Sequence, residues 1–345
     1  MGKTTPSKPG VRNLQAIKGG SFTVTLPRWW VTKHTMSKGA KIFLVEDGVS
    51  LKLAPMSLIA ETRRATINVE DFEDVPSLRY PIWTYYMQGA DEILVKSREV
   101  MSPNTKQRLR EIRMDLSGIE ILREDSYSIL FGVNPGQEQR LLDDMIRDLQ
   151  ATALSIHKDS INALVSRKPA FASEIITREP EVLRSYRAMI RKLAICSVNS
   201  KEAYSSGIKD SRELITYGLL ARDLNRTVYH SIYIARHIVK FGEQMDQNIL
   251  QLLRRMSDIT FEMQKLAVEA FLERDYTKTI RVIKLTQGIK KIDDTISSQI
   301  FKNTRNVKKA VTQMLIAREI RRIAGYSVGM ADAAANRIFF PKVAM

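Results

Sequence analysis

Ala221-Arg222-Asp223-Leu224-Asn225-Arg226-Thr227-Val228-Tyr229-His230-Ser231-Ile232-Tyr233-Ile234-Ala235 is answered 96 residues later by Ala317-Arg318-Glu319-Ile320-Arg321-Arg322-Ile323-Ala324-Gly325-Tyr326-Ser327-Val328-Gly329-Met330-Ala331. Both copies open on Ala-Arg-acid-aliphatic. They share a second arginine (Arg226, Arg322), a serine after His230 or Tyr326, and a closing alanine. Self-similarity at a long fixed offset signals a duplicated structural unit. Leu224, Val228 and Ala235 in one copy, and Ile320, Ala324 and Ala331 in the other, recur at helical spacing. Each copy is expected to be a long helix at the same place in its own bundle.

Working outward, the chain after Asn134-Pro135-Gly136 reads as helical to its end, because that triplet is a boundary and helical periodicity follows it. Leu142, Met145, Leu149, Ala153 and Ile156 share one face. The expected helices are 137–166, 171–198, 211–241, 248–273, 276–303 and 305–338, with breaks at Arg167-Lys168-Pro169, 199–210, 242–247, Arg274-Asp275 and near Asn303. Two sets of three give two three-helix bundles, 135–243 and 244–340.

Residues 56–134 alternate strand and helix patterns, which predicts a small α/β segment. Ala65–Val69, Glu92–Lys96, Ile119–Leu122 and Tyr127–Phe131 read as strands. Asp74 caps a helix ended by Gly89, and Ser102-Pro103 opens another closed by Gly118. Tyr80, Trp83, Tyr85 and Tyr86 on the first helix read as packing.

Residues 11–55 read as β. Ser21–Leu26 alternates, Pro27 starts a short helix through Trp29, Trp30 and Val31, and Lys41–Val45 with Ser50–Leu53 make a hairpin about Asp47-Gly48. Residues 1–10 read as a disordered basic arm. Gly20-Ser21-Phe22-x-Val24-x-Leu26-Pro27-x-x-Trp30-Val31, followed by Lys38-Gly39-x-Lys41-Ile42, resembles the AbrB/SpoVT-type swapped-hairpin domain related to MazE antitoxins. That resemblance implies two chains interleaving their hairpins, a homodimer, and basic residues facing DNA. The residues placed for that contact are Arg12, Lys18, Arg28 and Lys33. A segment this short buries no core alone, so pairing is physically reasonable.

The repeated stretch itself resembles the last helix of each half of a PhoU domain. Ala221-Arg222-Asp223-Leu224 and Arg226 match in the first half, and Ala317-Arg318-Glu319-Ile320, Arg322 and Ile323 in the second. The order of elements over nearly the whole chain resembles archaeal PhoU-like proteins with an N-terminal swapped hairpin. The fold class expected is therefore multi-domain: an all-β swapped hairpin, a small α/β segment and an all-α pair of three-helix bundles. The resemblance implies regulation of phosphate uptake and metal ligands at two positions per half. Those positions here are Asn225 and Tyr229, then Arg321 and Gly325, so no metal and no other cofactor is expected. Asp223 and Glu319 lie two residues before them and point elsewhere on the helix.

Composition narrows the function. The chain has 345 residues, a net charge of +16 and one cysteine, Cys196, so a disulfide framework and a thiolate zinc site are excluded. No apolar run reaches membrane-spanning length, and a cytoplasmic protein without membrane insertion is expected. From Met1 to Val45 there are eight Lys or Arg and no acid. A second concentration, which includes Arg318, Arg321 and Arg322, suggests a surface for an anion or partner. No nucleophile elbow, zinc-protease helix or dinucleotide fingerprint occurs, and His230 and His237 are seven apart on one helix, so a non-enzyme is expected. Two readings remain. One is a DNA-binding transcriptional regulator of phosphate homeostasis; the other is an adaptor that docks a phosphate transporter or sensor protein without touching DNA.

Overall fold

The computed structural model describes residues 11–48, 50–57, 62–134, 140–241 and 245–340. The basic arm at 1–10, Pro135-Gly136 of the expected boundary, and 242–244 of one expected break lie outside the described residues. The chain divides into two compact units. One comprises Met1–Leu44 and Leu53–Glu61, the other Val45–Lys52 and Thr62–Met345.

The first unit is built from short elements. β1 (Gln15–Ile17) and β2 (Ser21–Thr23) pair antiparallel with Ala16 opposite Phe22. The strand expected over 21–26 stops at Thr23. The helix expected after Pro27 is present as α1 (Arg28–Lys33), with Pro27 as its extended N-cap. β3 (Ile42–Asp47) and β4 (Ser50–Pro55) form the expected hairpin, one and two residues longer than the sequence indicated, with its tip Val45–Lys52 counted in the second unit.

The second unit starts with a four-stranded sheet. Its strands are β5 (Arg64–Asn68), β6 (Glu92–Lys96), β7 (Ile119–Glu124) and β8 (Ser128–Val133), in the order β5-β6-β8-β7. β5 and β6 are parallel, joined through α2 (Val75–Met87). β6–β8 and β7–β8 are antiparallel, with Ile93 opposite Phe131. Asp74 caps α2 by accepting from the Ser77 N–H, and Ser102 caps α3 (Pro103–Glu111) by accepting from Thr105. Ile67, Ile93, Val95, Ile129 and Phe131 pack under Leu78, Ile82, Tyr86 and Leu109. Within the aromatic group of α2, Tyr86 is buried and donates to the Ser117 carbonyl at 2.8 Å, whereas Tyr80 and Tyr85 are exposed.

The rest is helical: α4 (Leu142–Ser166), α5 (Pro169–Thr177), α6 (Glu179–Val198), α7 (Ser200–Ser205), α8 (Glu213–Phe241), α9 (Gln247–Glu273), α10 (Tyr276–Asn303) and α11 (Val307–Ile338). The helix expected over 171–198 is two helices that meet at Arg178, because Pro180 resets the backbone at the start of α6. The polar stretch 199–210 contains the one-turn helix α7, capped by Asn199. The helix expected to open at 137 begins at Leu142. α4 and α9, the first helices of the two halves, both end on an arginine in the left-handed region, Arg167 (φ 55°) and Arg274 (φ 56°). α4, α5, α6 and α8 form one bundle; α9, α10 and α11 form the other. α8 packs against α11 and α4 against α9, so one continuous core runs through both bundles.

Two buried arginines fasten the sheet segment to the first bundle. Arg191 of α6 donates to the carbonyls of Tyr86 (3.0 Å) and Ala90 (2.7 Å) and pairs with Asp91 (3.2 Å). Arg187 lies 3.9 Å above the Trp83 ring and donates to the Asp115 carbonyl.

Candidate functional site

The two copies of the repeated stretch occupy α8 and α11, the helices that meet where the bundles join. Apolar residues alone would seal this seam. Instead each copy contributes a buried acid, Asp223 and Glu319, both about 2% exposed. Each acid is held by the arginine that precedes it: Arg222 donates to Asp223 at 3.0 Å and Arg318 to Glu319 at 2.9 Å.

Across the seam the two acids meet different partners. His230 Nδ1 donates to Glu319 Oε2 at 2.5 Å, and His237 Nε2 lies 3.7 Å from Oε1. Tyr326 stacks on His230 at 5.5 Å. Burial opposes ionisation of Glu319, but the hydrogen bonds from His230 and Arg318, with the His237 ring close by, outweigh it and hold the carboxyl well below the usual range. Asp223 approaches the backbone of α11 at Gly329, where a Cβ would lie 2.3 Å from Oδ2. Burial raises its pKa; Arg222 opposes the rise and Asp332 adds to it.

A second polar node closes the far end of the seam. The Arg337 guanidinium of α11 donates to Glu213 (3.0 Å), to Asp143 (3.3 Å) and to the Phe271 carbonyl (3.1 Å). Tyr217 and Phe271 flank it with ring centroids 4.7 and 4.5 Å away. Residues of α4, α8, α9 and α11 are thus joined through one cation.

The residues singled out in the sequence are distributed differently. Arg12, Lys18, Arg28 and Lys33 are all exposed in the N-terminal unit. Arg318 and Arg321 are exposed and ion-paired. Arg318 is engaged by Glu319, and Arg321 pairs with Asp293 of α10 at 2.8 Å, so both charges are met within the chain. Arg322 is exposed. Asn225 is half-buried, Tyr229 packs tilted against the Tyr233 ring at 4.5 Å, and Gly325 faces open space. This set does not fit a bound cation: it offers one neutral amide, one phenol, a paired guanidinium and no side chain at all. Among the described residues no three His, Cys, Asp or Glu converge as a metal site.

The duplicated helices, their shared seam and the matching left-handed caps define a tandem of like bundles. Residues 146–238 and 253–334, together just over half of the chain, match the PhoU domain. The chain belongs to the PhoU family. A phosphate-specific transport system accessory protein PhoU homolog from Borreliella burgdorferi is 23% identical over 161 residues, spanning 45% of this chain and 71% of that protein. The phosphate transport system regulatory protein PhoU from Streptococcus pneumoniae shares the fold at a TM-score of 0.51 and 18% identity, over 59% of this chain and 96% of that one. PhoU from Pseudomonas aeruginosa does so at 0.50 and 14%, over 57% and 95%. The PhoU region is therefore the helical part, and the elements before it lie outside the match.

Sequence reasoning missed the cluster of Glu319, His230 and His237. It set Glu319 aside for lying off the family ligand positions, and the two histidines for their spacing. The available signal was the retention of an acid at the same place in both copies, beside Leu224 and Ile320, on a face that periodicity assigns to the core. Two histidines two helical turns apart do converge when one long carboxylate from the neighbouring helix presents an oxygen to each.

Proposed function

We propose that this PhoU-family protein regulates phosphate uptake as a cytoplasmic homodimer that binds DNA through its N-terminal unit, with the helical bundles as the part that receives a signal. One observation carries the reading: among the described residues of the N-terminal unit, Pro55 alone is buried. Val11 is 91% exposed, Phe22 65% and Leu44 55%. A β segment in water does not persist with its apolar faces uncovered, so a second copy covering them in the manner of a swapped hairpin accounts for both the strands and the exposure. The same stretch carries Arg12, Lys18, Arg28 and Lys33 on its surface without an acidic residue before Glu46. A dimer doubles that charge, which suits a polyanion. The phosphate connection rests on family membership and on the phosphate-transport roles of the relatives.

The test is paired. Light scattering of the full chain at micromolar concentration should give a dimer, and DNA retention should fall with salt, each phosphate contact adding roughly 0.9 to the slope of log affinity against log salt. Replacing Arg12, Lys18 and Arg28 by alanine should abolish retention while the dimer persists. A monomer would remove the swapped-hairpin reading. A dimer without DNA retention would favour the adaptor, which docks a transporter or sensor protein through the bundles.

A further inference from the structure

A cleft of about 890 Å³ opens between α4 and α5 of the first bundle and α9 of the second. It lies away from the α8–α11 seam and shares no residue with it. Its size is that of a small-molecule site. Three kinds of group line it. Lys158, Lys168 and Arg254 are exposed cations that engage no carboxylate among the described residues. Phe171 and Phe261, half-buried and on different helices, supply aromatic surface, together with Ile161 and Val165. Asn162, Ser166, Ser257 and Asp258 supply neutral and acidic hydrogen-bonding groups.

Ser257 is buried, and its orientation is set from behind. His157, fully buried, lies 3.0 Å from the Ser257 hydroxyl through Nε2 and 2.7 Å from the Gln264 amide nitrogen through Nδ1. Burial lowers the His157 pKa to about 4, so the ring is neutral at physiological pH. The neutral ring thus ties Ser257 to Gln264 behind the wall of the cleft.

These groups select the occupant by elimination. Inorganic phosphate would engage the cations and leave the two phenylalanines and two aliphatic side chains uncovered. A fatty acid would cover them and leave Asn162, Ser166, Ser257 and Asp258 facing methylenes, at the cost of unmade hydrogen bonds. A molecule that combines charged oxygens, a flat ring and hydroxyls satisfies all three kinds. We propose that this cleft binds a nucleoside phosphate, with the phosphates on Lys158, Lys168 and Arg254 and the base against Phe171 and Phe261. Because the cleft is shared by both bundles, the ligand would tie one half of the tandem to the other. The proposal is independent of DNA binding by the N-terminal unit.

Isothermal titration of the full chain with ADP, GDP, UDP, adenosine and pyrophosphate tests it. At least one nucleotide should bind, with adenosine and pyrophosphate each at least about tenfold weaker, since each carries only one of the two recognised groups. The Lys158→Glu, Arg254→Glu double variant, altered only at exposed positions, should keep its helical circular dichroism and lose nucleotide affinity by at least about tenfold. Phe171→Ala should weaken nucleotide binding and leave pyrophosphate unaffected. Three results would overturn the proposal: no nucleotide binding up to about 1 mM, pyrophosphate as tight as the nucleotides, or nucleotide affinity unchanged in the charge-reversed variant.

Discussion

The first and second copies of the repeated stretch hold their acids in the same backbone frame, behind the same arginine, at the same depth, and reach opposite electrostatic states. Glu319 is drawn below the usual carboxylate range and Asp223 is pushed above it. The difference lies across the seam. The offset of 96 places Tyr326 and Ala333 where the other copy has His230 and His237, and Gly329 where it has Tyr233. Glu319 therefore faces two imidazoles, while Asp223 faces bare backbone and is held chiefly by Arg222, with Arg226 adding a weaker attraction. Burial disfavours charge in both; what decides the outcome is how many donors the opposite helix supplies. Duplication preserved the scaffold, and divergence of the partner positions gave the two halves different chemistry.

Removing Glu319 should have the largest effect. Glu319→Ala leaves His230, His237 and Arg318 without their shared acceptor at a buried seam, and the loss should be about 3–5 kcal/mol. Urea unfolding at neutral pH measures it, and a loss under about 1 kcal/mol would break the comparison. The pH dependence sharpens it. A carboxyl whose folded pKa lies below its usual value near 4.5 stabilises fully above that value, and the contribution fades as pH falls toward the folded pKa. Asp223 has the opposite sign. Its folded pKa lies above the usual 3.8, so protonation on acidification favours the fold. Glu319→Gln should therefore reduce the acid sensitivity of the unfolding free energy, and Asp223→Asn should increase it.

Much of this fold was legible before the structure, and the reasons are local. Tyr276–Asn303 was placed to the residue because Asp275 caps it and Thr304 ends its periodicity. The caps at Asp74 and Ser102 were read correctly because their side chains act on the next turn. The failures came from longer range. Arg178 joins two helices that one apolar stripe made look continuous, and Ser21–Leu26 keeps its alternation beyond the point where its partner strand ends. The seam and the cleft were out of reach for the same reason. Lys158, Lys168 and Arg254 come from separate elements, and nothing in the spacing of 158 and 254 shows that α4 and α9 run side by side. The pairing of Arg318 with Glu319 and of Arg321 with Asp293 was likewise out of reach, because Asp293 lies on another helix and the burial of Glu319 is set by the seam.

Gly329 tests how closely the weaker half of the seam is built. In Gly329→Ala the new methyl would sit 2.3 Å from Asp223 Oδ2, so the carboxylate must swing away from its present position. The displaced buried acid should cost about 1–2 kcal/mol, more than the helix propensity that alanine gains. The sign should reverse in an Asp223→Ala background, where the methyl meets no carboxylate and the substitution should stabilise by about 0.5–1 kcal/mol. A double-mutant cycle by urea unfolding reads the coupling directly. Additivity of the two substitutions would show that Asp223 and Gly329 do not constrain each other.

Gly325 gives the smallest expected effect and the control for the others. It lies four residues before Gly329 in the same helix and occupies one of the positions where the PhoU resemblance implies a ligand. Nothing lies within 4 Å of a Cβ built there, and the residue is exposed. Its backbone is that of an ordinary α-helix interior, so the glycine is needed neither for a turn nor for a close approach. Alanine removes unfolded-state freedom and adds no clash, and Gly325→Ala should stabilise the chain by about 0.5–1 kcal/mol. Thermal unfolding would register this as a rise of a few degrees at most. The contrast with Gly329 is the informative quantity: the same substitution, one helical turn apart, should carry opposite signs because only one position faces the buried acid of the other bundle. A destabilising Gly325→Ala would mean that this surface of α11 is covered in the folded protein, by a second copy or another partner seated over the position where the PhoU resemblance implies a ligand.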